Sequence, residues 1–388
     1  MLFCVDAHTI GCHLTGNEVY IRNLLKEYAE LDPSSDYLAY VAKPKADESV
    51  PVRFQKRWVS ENPFRRLGVD IPLSLRRDRP DLLHVQYTGP LFSNVPMVVS
   101  VHDISYLEHP EYFTAFRSRQ LRLTVKRTVH KAARILTPSD FSKRSIVEAY
   151  RVPEEKVTVV HNAVSSTFRP IHRETALAWV KNNYDIPGPF VLTVGDLQPR
   201  KNHLGLIRAF EELTANTPSL PHHLVMVGKE TWFAPAVRKA AAKSSAAGRI
   251  HFTDWVADAD LRYFYGACDC FVFPSFYEGF GLPILEAMAC GRAVVCSNTS
   301  AMPEVANAAG LLFDPYSTIE LVRAMRDVLL DANLRLRLER LGAQRAAGFS
   351  WSRAAQETLD VYHEVACGPA RSSRTAMKQV GSVSAVRP

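Results

Sequence analysis

No run of about 18 apolar residues occurs anywhere in the 388-residue chain, so a membrane-spanning helix is not expected. A low-complexity body is missing too, and 47% hydrophobic with 22% charged residues is a globular composition. Cysteine is sparse and unpaired in pattern. The seven thiols (Cys4, Cys12, Cys268, Cys270, Cys290, Cys296, Cys367) are odd in number and have no repeated spacing. That disfavours a disulfide framework and fits reduced thiols in a cytoplasmic protein. Cys268-Asp-Cys270 has the wrong spacing for a zinc pair, and no second pair follows. Cys290 and Cys296 flank apolar runs and read as small buried residues. The opening Met1–Val5 has no basic leader and reads as a first buried strand, not a secretory signal. Asn298-Thr-Ser300 matches a glycosylation sequon, which has no consequence in a cytoplasmic chain. The net charge of +7 is mild and only slightly uneven: residues 1–170 carry 24 Lys/Arg against 19 Asp/Glu. This suits an anionic partner such as a nucleotide or a lipid phosphate. It is too weak for DNA or RNA, and no nucleic-acid motif accompanies it.

What is present is a repeated alternation of short apolar runs and amphipathic stretches. Strands are expected at Leu2–Val5, Tyr37–Val41, Leu82–Val85, Met97–Val101, Arg134–Thr137 and Val157–Val160. A second series follows at Phe190–Val194, His223–Val227, Ile250–Thr253, Cys270–Phe273, Ala293–Ser297 and Gly310–Phe313. Runs apolar at consecutive positions mark parallel strands buried on both faces. Helical patterns such as Glu18–Leu31, Gln120–Ala133, His203–Leu213 and Ile319–Leu330 separate them. The expected fold class is α/β, with two doubly wound parallel-sheet domains at 1–175 and 176–351. A final helix near Ser352–Val365 follows the last strand, with either domain open to it as a packing partner. The tail Gly368–Pro388 has four basic and no acidic residues and is expected to be disordered.

Chemistry concentrates at strand ends. After Cys270–Phe273 comes a loop with Glu278-Gly279-Phe280-Gly281-Leu282-Pro283, then Glu286 and Gly291. Pro283 suits a helix's first turn and Gly291 its C-terminal cap. Gly279 and Gly281 allow close backbone approach, and the helix start favours a phosphate. Glu278 in the loop and Glu286 in the first helical turn can hold sugar or ribose hydroxyls. An ordinary strand-loop-helix with acidic residues near its start has the same pattern. Arg200 and Lys201 follow strand Phe190–Val194 and can neutralise a leaving diphosphate, or form a solvated basic turn. His102-Asp103 follows Met97–Val101, as a site group or a satisfied core histidine. The loop from Gly11 to Tyr20, with Gly16, resembles a phosphate-binding turn but has neither G-x-G-x-x-G nor the Walker pattern. Asp258-Ala-Asp260 imitates a metal-binding D-x-D; its position before Leu261-Arg-Tyr reads as a helix N-cap instead. The basic stretch Arg117–Arg134 reads as a solvated face, with contact to a membrane surface as the alternative.

Together these segments resemble the retaining glycosyltransferases of family 4, which have the GT-B fold. The resemblance runs over residues 1–365 and is sharpest in the E-x7-E segment Glu278–Glu286. Pro199-Arg-Lys-Asn202, Thr137-Pro-Ser-Asp-Phe-Ser142, Val159-Val-His-Asn162, Val227-Gly228 and Phe313-Asp-Pro315 support it. It implies two Rossmann-like domains around a cleft, with the donor held by the second, the acceptor facing the first, and the final helix crossing back to the first. It implies that Glu278 contacts the donor sugar and Glu286 the ribose. Backbone amides of Phe280, Gly281 and Leu282 would contact sugar and phosphates beside Gly279. Arg200 and Lys201 would neutralise the diphosphate in place of a metal, Gly16 would close over it, and His102 would lie by the reacting sugar. Val256 matches the position that holds the base through backbone contacts. No cofactor is implied; the nucleotide-diphosphate sugar is a substrate.

The sequence departs from the family pattern in three places. Asp196 stands where many members have Arg, Thr15 precedes Gly16 where a second glycine is usual, and Ala163 follows Asn162 where glycine is common. The expected activity is hexosyl transfer to a glycan or lipid-linked glycan in cell-surface polysaccharide or glycolipid synthesis. The context His102-Asp103 with Tyr106-Leu-Glu-His-Pro110 resembles the mannosyltransferase branch. That favours GDP-mannose, with UDP-sugars open. The alternatives are a GT-B sugar-nucleotide epimerase or hydrolase, and a catalytically silent nucleotide-sugar-binding protein.

Overall fold

The computed structural model describes residues 1–11, 15–44 and 46–368. The tail expected to be disordered lies outside them, apart from Gly368. Among these described residues thirteen strands form two all-parallel sheets. In the first are β1 (Leu2–Asp6), β2 (Asp36–Val41), β3 (Gln55–Trp58), β4 (Leu82–Gln86), β5 (Met97–Ser100), β6 (Arg134–Thr137) and β7 (Val157–Val159). Their spatial order is β3-β2-β1-β4-β5-β6-β7. In the second are β8 (Phe190–Val194), β9 (His223–Val227), β10 (Ile250–Phe252), β11 (Cys270–Phe273), β12 (Val294–Ser297) and β13 (Gly310–Phe313), in the order β10-β9-β8-β11-β12-β13. Each sheet is doubly wound: its order reverses beside its first strand, which leaves a crevice at the carboxyl ends. The central strands β4, β5, β11 and β12 are buried along their whole length, as continuous apolar runs demand.

Twelve of the thirteen strands coincide with apolar runs in the sequence. The one without such a run is β3, Gln-Lys-Arg-Trp, an exposed edge strand paired only with β2. A polar edge needs no apolar run because one side carries no neighbour. Helix Thr15–Leu31 begins three residues before the expected Glu18, so Gly16 lies in its first turn and not in a preceding loop. Helix Ala115–Lys131 starts earlier than its apolar pattern, where Thr114 caps it by accepting from the Arg117 N–H.

Helix Arg173–Tyr184 packs on helix Asp258–Ala267 and shares the second sheet's core through Ala176 and Val180. The last helix, Trp351–Cys367, crosses back to the first sheet and packs along helix Thr15–Leu31, burying Trp351, Leu359 and Tyr362. Asp258 does not cap its helix: Ala257 holds that position without a side-chain bond, and Asp258 pairs with Arg22 of the first sheet's unit at 3.0 Å. All six described cysteines are free thiols, five of them buried. No helix among the described residues is long and apolar enough to cross a membrane.

Candidate active site

The loop between β11 and helix Leu282–Ala289 reaches across to the first sheet. Gly279 lies against the end of β5: a Cβ there would sit 2.0 Å from the His102 carbonyl oxygen and 2.9 Å from Asp103 Cβ. Only a residue without a side chain fits. The Gly279 carbonyl accepts from the Ser139 hydroxyl at 2.7 Å, and the Ser142 hydroxyl lies 3.2 Å from it and 3.1 Å from the His102 carbonyl. Glu304 completes the seam by accepting from the Asp140 and Phe141 N–H groups at 2.9 and 3.1 Å. Those two donors open helix Asp140–Tyr150, where a carboxylate is favoured. Two strand ends from different sheets thereby face each other.

Glu278, 8% exposed, is held between two cations. Its Oε2 lies 2.5 Å from an Arg200 terminal nitrogen and its Oε1 2.7 Å from Lys201 Nζ. Arg200 also donates to the Tyr277 carbonyl at 2.9 Å, and the Glu278 N–H donates to the Ser300 hydroxyl at 2.9 Å. Burial works to raise the Glu278 carboxyl, but Arg200 and Lys201 outweigh it and bring it down to about 2. Lys201 is lowered, chiefly by burial, with Arg200 adding and Glu278 opposing. Its ammonium sits 4.8 Å over the Phe273 ring. Pro199–Lys201 is a single helical turn closed by Asn202 at φ 53°, whose side chain then accepts from the Gly205 N–H to start the next helix. The turn is what aims both cations back at Glu278. Asp196, which replaces the family's arginine, accepts from the Lys229 N–H.

Gly281 takes φ 108°, in the region that favours glycine, and no side chain caps the helix that follows. Pro283 has no N–H and the Ile284 N–H donates to the Gly281 carbonyl at 2.9 Å, so the Leu282 N–H and the helix dipole are what remain to favour an anion. The Phe280 ring is buried against His161 and Phe349, at 6.1 and 5.8 Å between centroids, so only its backbone faces the loop's open side. Leu282 opens the helix, half-buried. The Val256 side chain is likewise buried, in the core with Leu261 and Ile284.

Glu286 lies beyond the first helical turn where it was expected, since no acidic residue occupies that turn. It accepts from the Tyr265 hydroxyl at 2.7 Å. Burial raises its carboxyl to about 7, with Asp258 adding and Tyr265 opposing. The two glutamates of one segment are thus pushed in opposite directions by their surroundings.

His102 is a neutral imidazole, lowered by burial to about 4. Its Nε2–H donates to Gln86 Oε1 at 3.1 Å, and the Tyr20 ring stands edge-on 4.6 Å away. The Tyr20 hydroxyl bonds Ser100, which meets His84, which meets Tyr362 of the crossing helix, at 2.8, 2.7 and 2.5 Å. His102, Arg200, Lys201, Glu278 and Gly279 are brought together. Gly16 is exposed at the start of its helix, with open space where a side chain would stand. Tyr265, Gln86, Tyr20, Ser300 and Glu304 carried no sequence signal. Ser139 and Ser142 did, inside Thr137–Ser142, but without an indication of what they touch. Among the described residues no group of three or more His, Cys, Asp or Glu side chains is placed to hold a metal.

Two parallel doubly wound sheets whose strand ends face each other are the arrangement of the GT-B fold. Residues 180–345 match the model for glycosyl transferases group 1, and residues 14–168 that for glycosyltransferase family 4. The chain belongs to this family. It is 35% identical over 266 residues to the O-antigen chain mannosyltransferase B of Escherichia coli, covering 68% of this chain and 69% of that protein. It is 29% identical over 262 residues to the serotype-specific mannosyltransferase WbdA of Escherichia coli, covering 67% of this chain but 32% of that longer protein. In fold it matches Anabaena Alr3699/HepE, solved in complex with UDP and glucose, with a TM-score of 0.74 at 17% identity over 93% of this chain and 98% of that one.

Proposed function

We propose that this glycosyltransferase moves a hexosyl group, mannose by preference, from a nucleotide-diphosphate sugar to a glycan or lipid-linked glycan, with retention of configuration. The observation that carries the reading is the Glu278 carboxylate gripped by Arg200 and Lys201, beside an uncapped helix start and opposite His102. In this mechanism the nucleoside diphosphate departs with negative charge. Arg200, Lys201 and the helix start at Leu282 stabilise it, with no step assigned to a metal or cofactor. Glu278, ionised at any physiological pH, serves to hold sugar hydroxyls and not as an acid. Glu286 holds the ribose, and the backbone around Val256 the base. Gly279, Phe280, Gly281 and Leu282 offer backbone groups to sugar and phosphates, and Gly16 closes over the donor from the opposite unit. His102, neutral, polarises or receives a sugar hydroxyl.

The preference for mannose rests on the similarity to O-antigen mannosyltransferases, and the nucleotide-sugar donor on the fold likeness to a UDP complex. The similarity to an O-antigen chain mannosyltransferase supports cell-surface polysaccharide assembly as the setting. A donor panel with purified protein, following nucleoside diphosphate release with and without EDTA and acceptor glycan, tests the whole reading. One donor, GDP-mannose, is expected to dominate, turnover to require acceptor, and EDTA to change little. A strict metal requirement would overturn the roles given to Arg200 and Lys201.

A further inference from the structure

Four rings, two from each unit, stand in a near-parallel row across the seam between the sheets. His109 and Tyr112, in the segment that follows His102, stack at 5.2 Å between centroids with 19° between planes. Tyr112 faces Phe276 of the second unit at 6.4 Å and 12°. Phe276 in turn faces Tyr316, just after β13, at 4.9 Å and 26°. The row runs outward: His109, Tyr112 and Phe276 are half-buried, and Tyr316 is 70% exposed.

The same row is tied to the groups that hold the donor. Phe276 stands two residues before Glu278, and its N–H donates to the Arg200 carbonyl at 2.9 Å. Asn202, which closes the turn carrying Arg200 and Lys201, donates from its side-chain amide to the Pro315 carbonyl at 3.0 Å. That bond seats Tyr316 beside the cation turn. The Tyr316 N–H also donates to the Asp314 carboxylate at 3.0 Å, so the ring is held on a fixed backbone.

Packing between the units does not account for Tyr316. The neighbouring Tyr277 fills that role: it is buried, with its ring edge-on to His109 and Phe141 of the first unit at 5.2 and 5.5 Å. Tyr316 rests on Phe276 and leaves most of its surface in water. Between them opens a cavity of about 120 Å³ whose lining includes Arg208, Ser317 and Thr318. Flat rings with hydroxyl and guanidinium groups at their border match a pyranose, which has C–H groups on its faces and hydroxyls around its rim. An acyl chain would want a groove without donors, and a phosphate a cluster of cations in place of rings.

We infer that this row is the platform for the acceptor glycan, with Phe276 and Tyr112 under the sugar rings nearest the reacting one and Tyr316 under those further back. The inference rests on the proposed function for the acceptor's being a glycan, and adds that several of its rings are read. The test uses the full chain with mannose and α-linked mannobiose, mannotriose and mannotetraose. Calorimetric titration without donor should show the tetraose binding about tenfold more tightly than mannose. With donor, KM should fall along the series by a similar factor while kcat changes little. Tyr316→Ala should remove about fivefold of that gain and leave KM for mannose, nucleotide affinity and melting temperature unchanged. Tyr112→Ala should also flatten the series, and Tyr316→Phe should keep it.

A wild type that binds tetraose no better than mannose would overturn the inference. So would a Tyr316→Ala variant with the full gain in the series. An equal loss for mannose and tetraose in that variant, with a lowered melting temperature, would make Tyr316 a packing residue and overturn it too. Glycan binding is read without donor, so failure of the donor panel and failure here are separate results.

Discussion

The backbone of His102 and the α-carbon of Gly279 are in direct contact across the two sheets, with the His102 carbonyl where a Gly279 side chain would be. A glycine in one unit is thus the seat on which the other unit's strand end rests. Gly279→Ala cannot be absorbed by a side-chain shift, because the obstacle is backbone. We expect about 10²-fold loss of kcat from misplaced groups, with both units still folded, read by steady-state rates and by small-angle scattering for a more open pair. Wild-type rates in this variant would mean that the seam is not needed for catalysis.

Glu278 is the group to remove first. Glu278→Ala should abolish transfer while nucleoside diphosphate still binds, since Arg200 and Lys201 remain. It leaves two half-buried cations without their carboxylate, so a loss of about 3 kcal/mol in stability is expected in thermal melts. Normal turnover by Glu278→Ala would refute the site.

The two glutamates give opposite pH signatures. The depressed Glu278 carboxyl contributes stability that is present above its ordinary value of 4.5 and is lost as pH falls towards about 2. The raised Glu286 carboxyl imposes a penalty that is absent below 4.5, grows as pH rises, and is complete above about 7. Glu286→Gln should therefore raise the melting temperature at pH 8 by a few degrees, about 1–3 kcal/mol, and leave it unchanged at pH 4. An equal shift at both pH values would show that ionisation is not the cause. The same variant should weaken nucleotide binding if Glu286 holds the ribose.

Glu304 acts as a latch between the units. Glu304→Ala removes the acceptor for two N–H groups that open helix Asp140–Tyr150. The expected effect is about tenfold slower turnover, with stability changed by only about 1 kcal/mol, because the freed donors can reach water. Scattering profiles unchanged by the substitution, together with unchanged rates, would remove the latch role.

Much of the architecture was legible because both sheets are parallel and their strands are buried on two faces. Val98-Val99, Val191-Leu192 and Phe271-Val272 stand in unbroken apolar runs that no surface strand would need. The edge strand β3 escaped notice for the converse reason, as Gln55–Trp58 needs no apolar pattern. Helix starts were less legible than helix middles. Thr114 and Thr15 open their helices ahead of the apolar periodicity, by capping in the first case.

At the site, residue type and position after a strand sufficed to single out His102, Arg200, Lys201 and Glu278. Each lies in the loop after the carboxyl end of a strand of an open α/β sheet, where the crevice is. Their relationships were not readable. That Glu278 pairs with Arg200 and Lys201, 78 and 77 residues earlier, depends on β11 lying next to β8, which no local pattern specifies. That Glu278 is held well below the ordinary carboxyl value while Glu286 rises to about 7 depends on the assembled surroundings: two cations that outweigh burial for one, burial with Asp258 adding to it for the other. By itself the sequence determined which segments fold as strands and helices, and which polar residues stand at their carboxyl ends, since hydrophobic period and turn chemistry are local. Only the tertiary structure decided that Gly279 carries His102, that the crossing helix reaches His84 through Tyr362, and that the paired cations face a carboxylate. Those contacts join residues distant in the chain, and their energies depend on burial and distance that exist only once the two sheets are assembled.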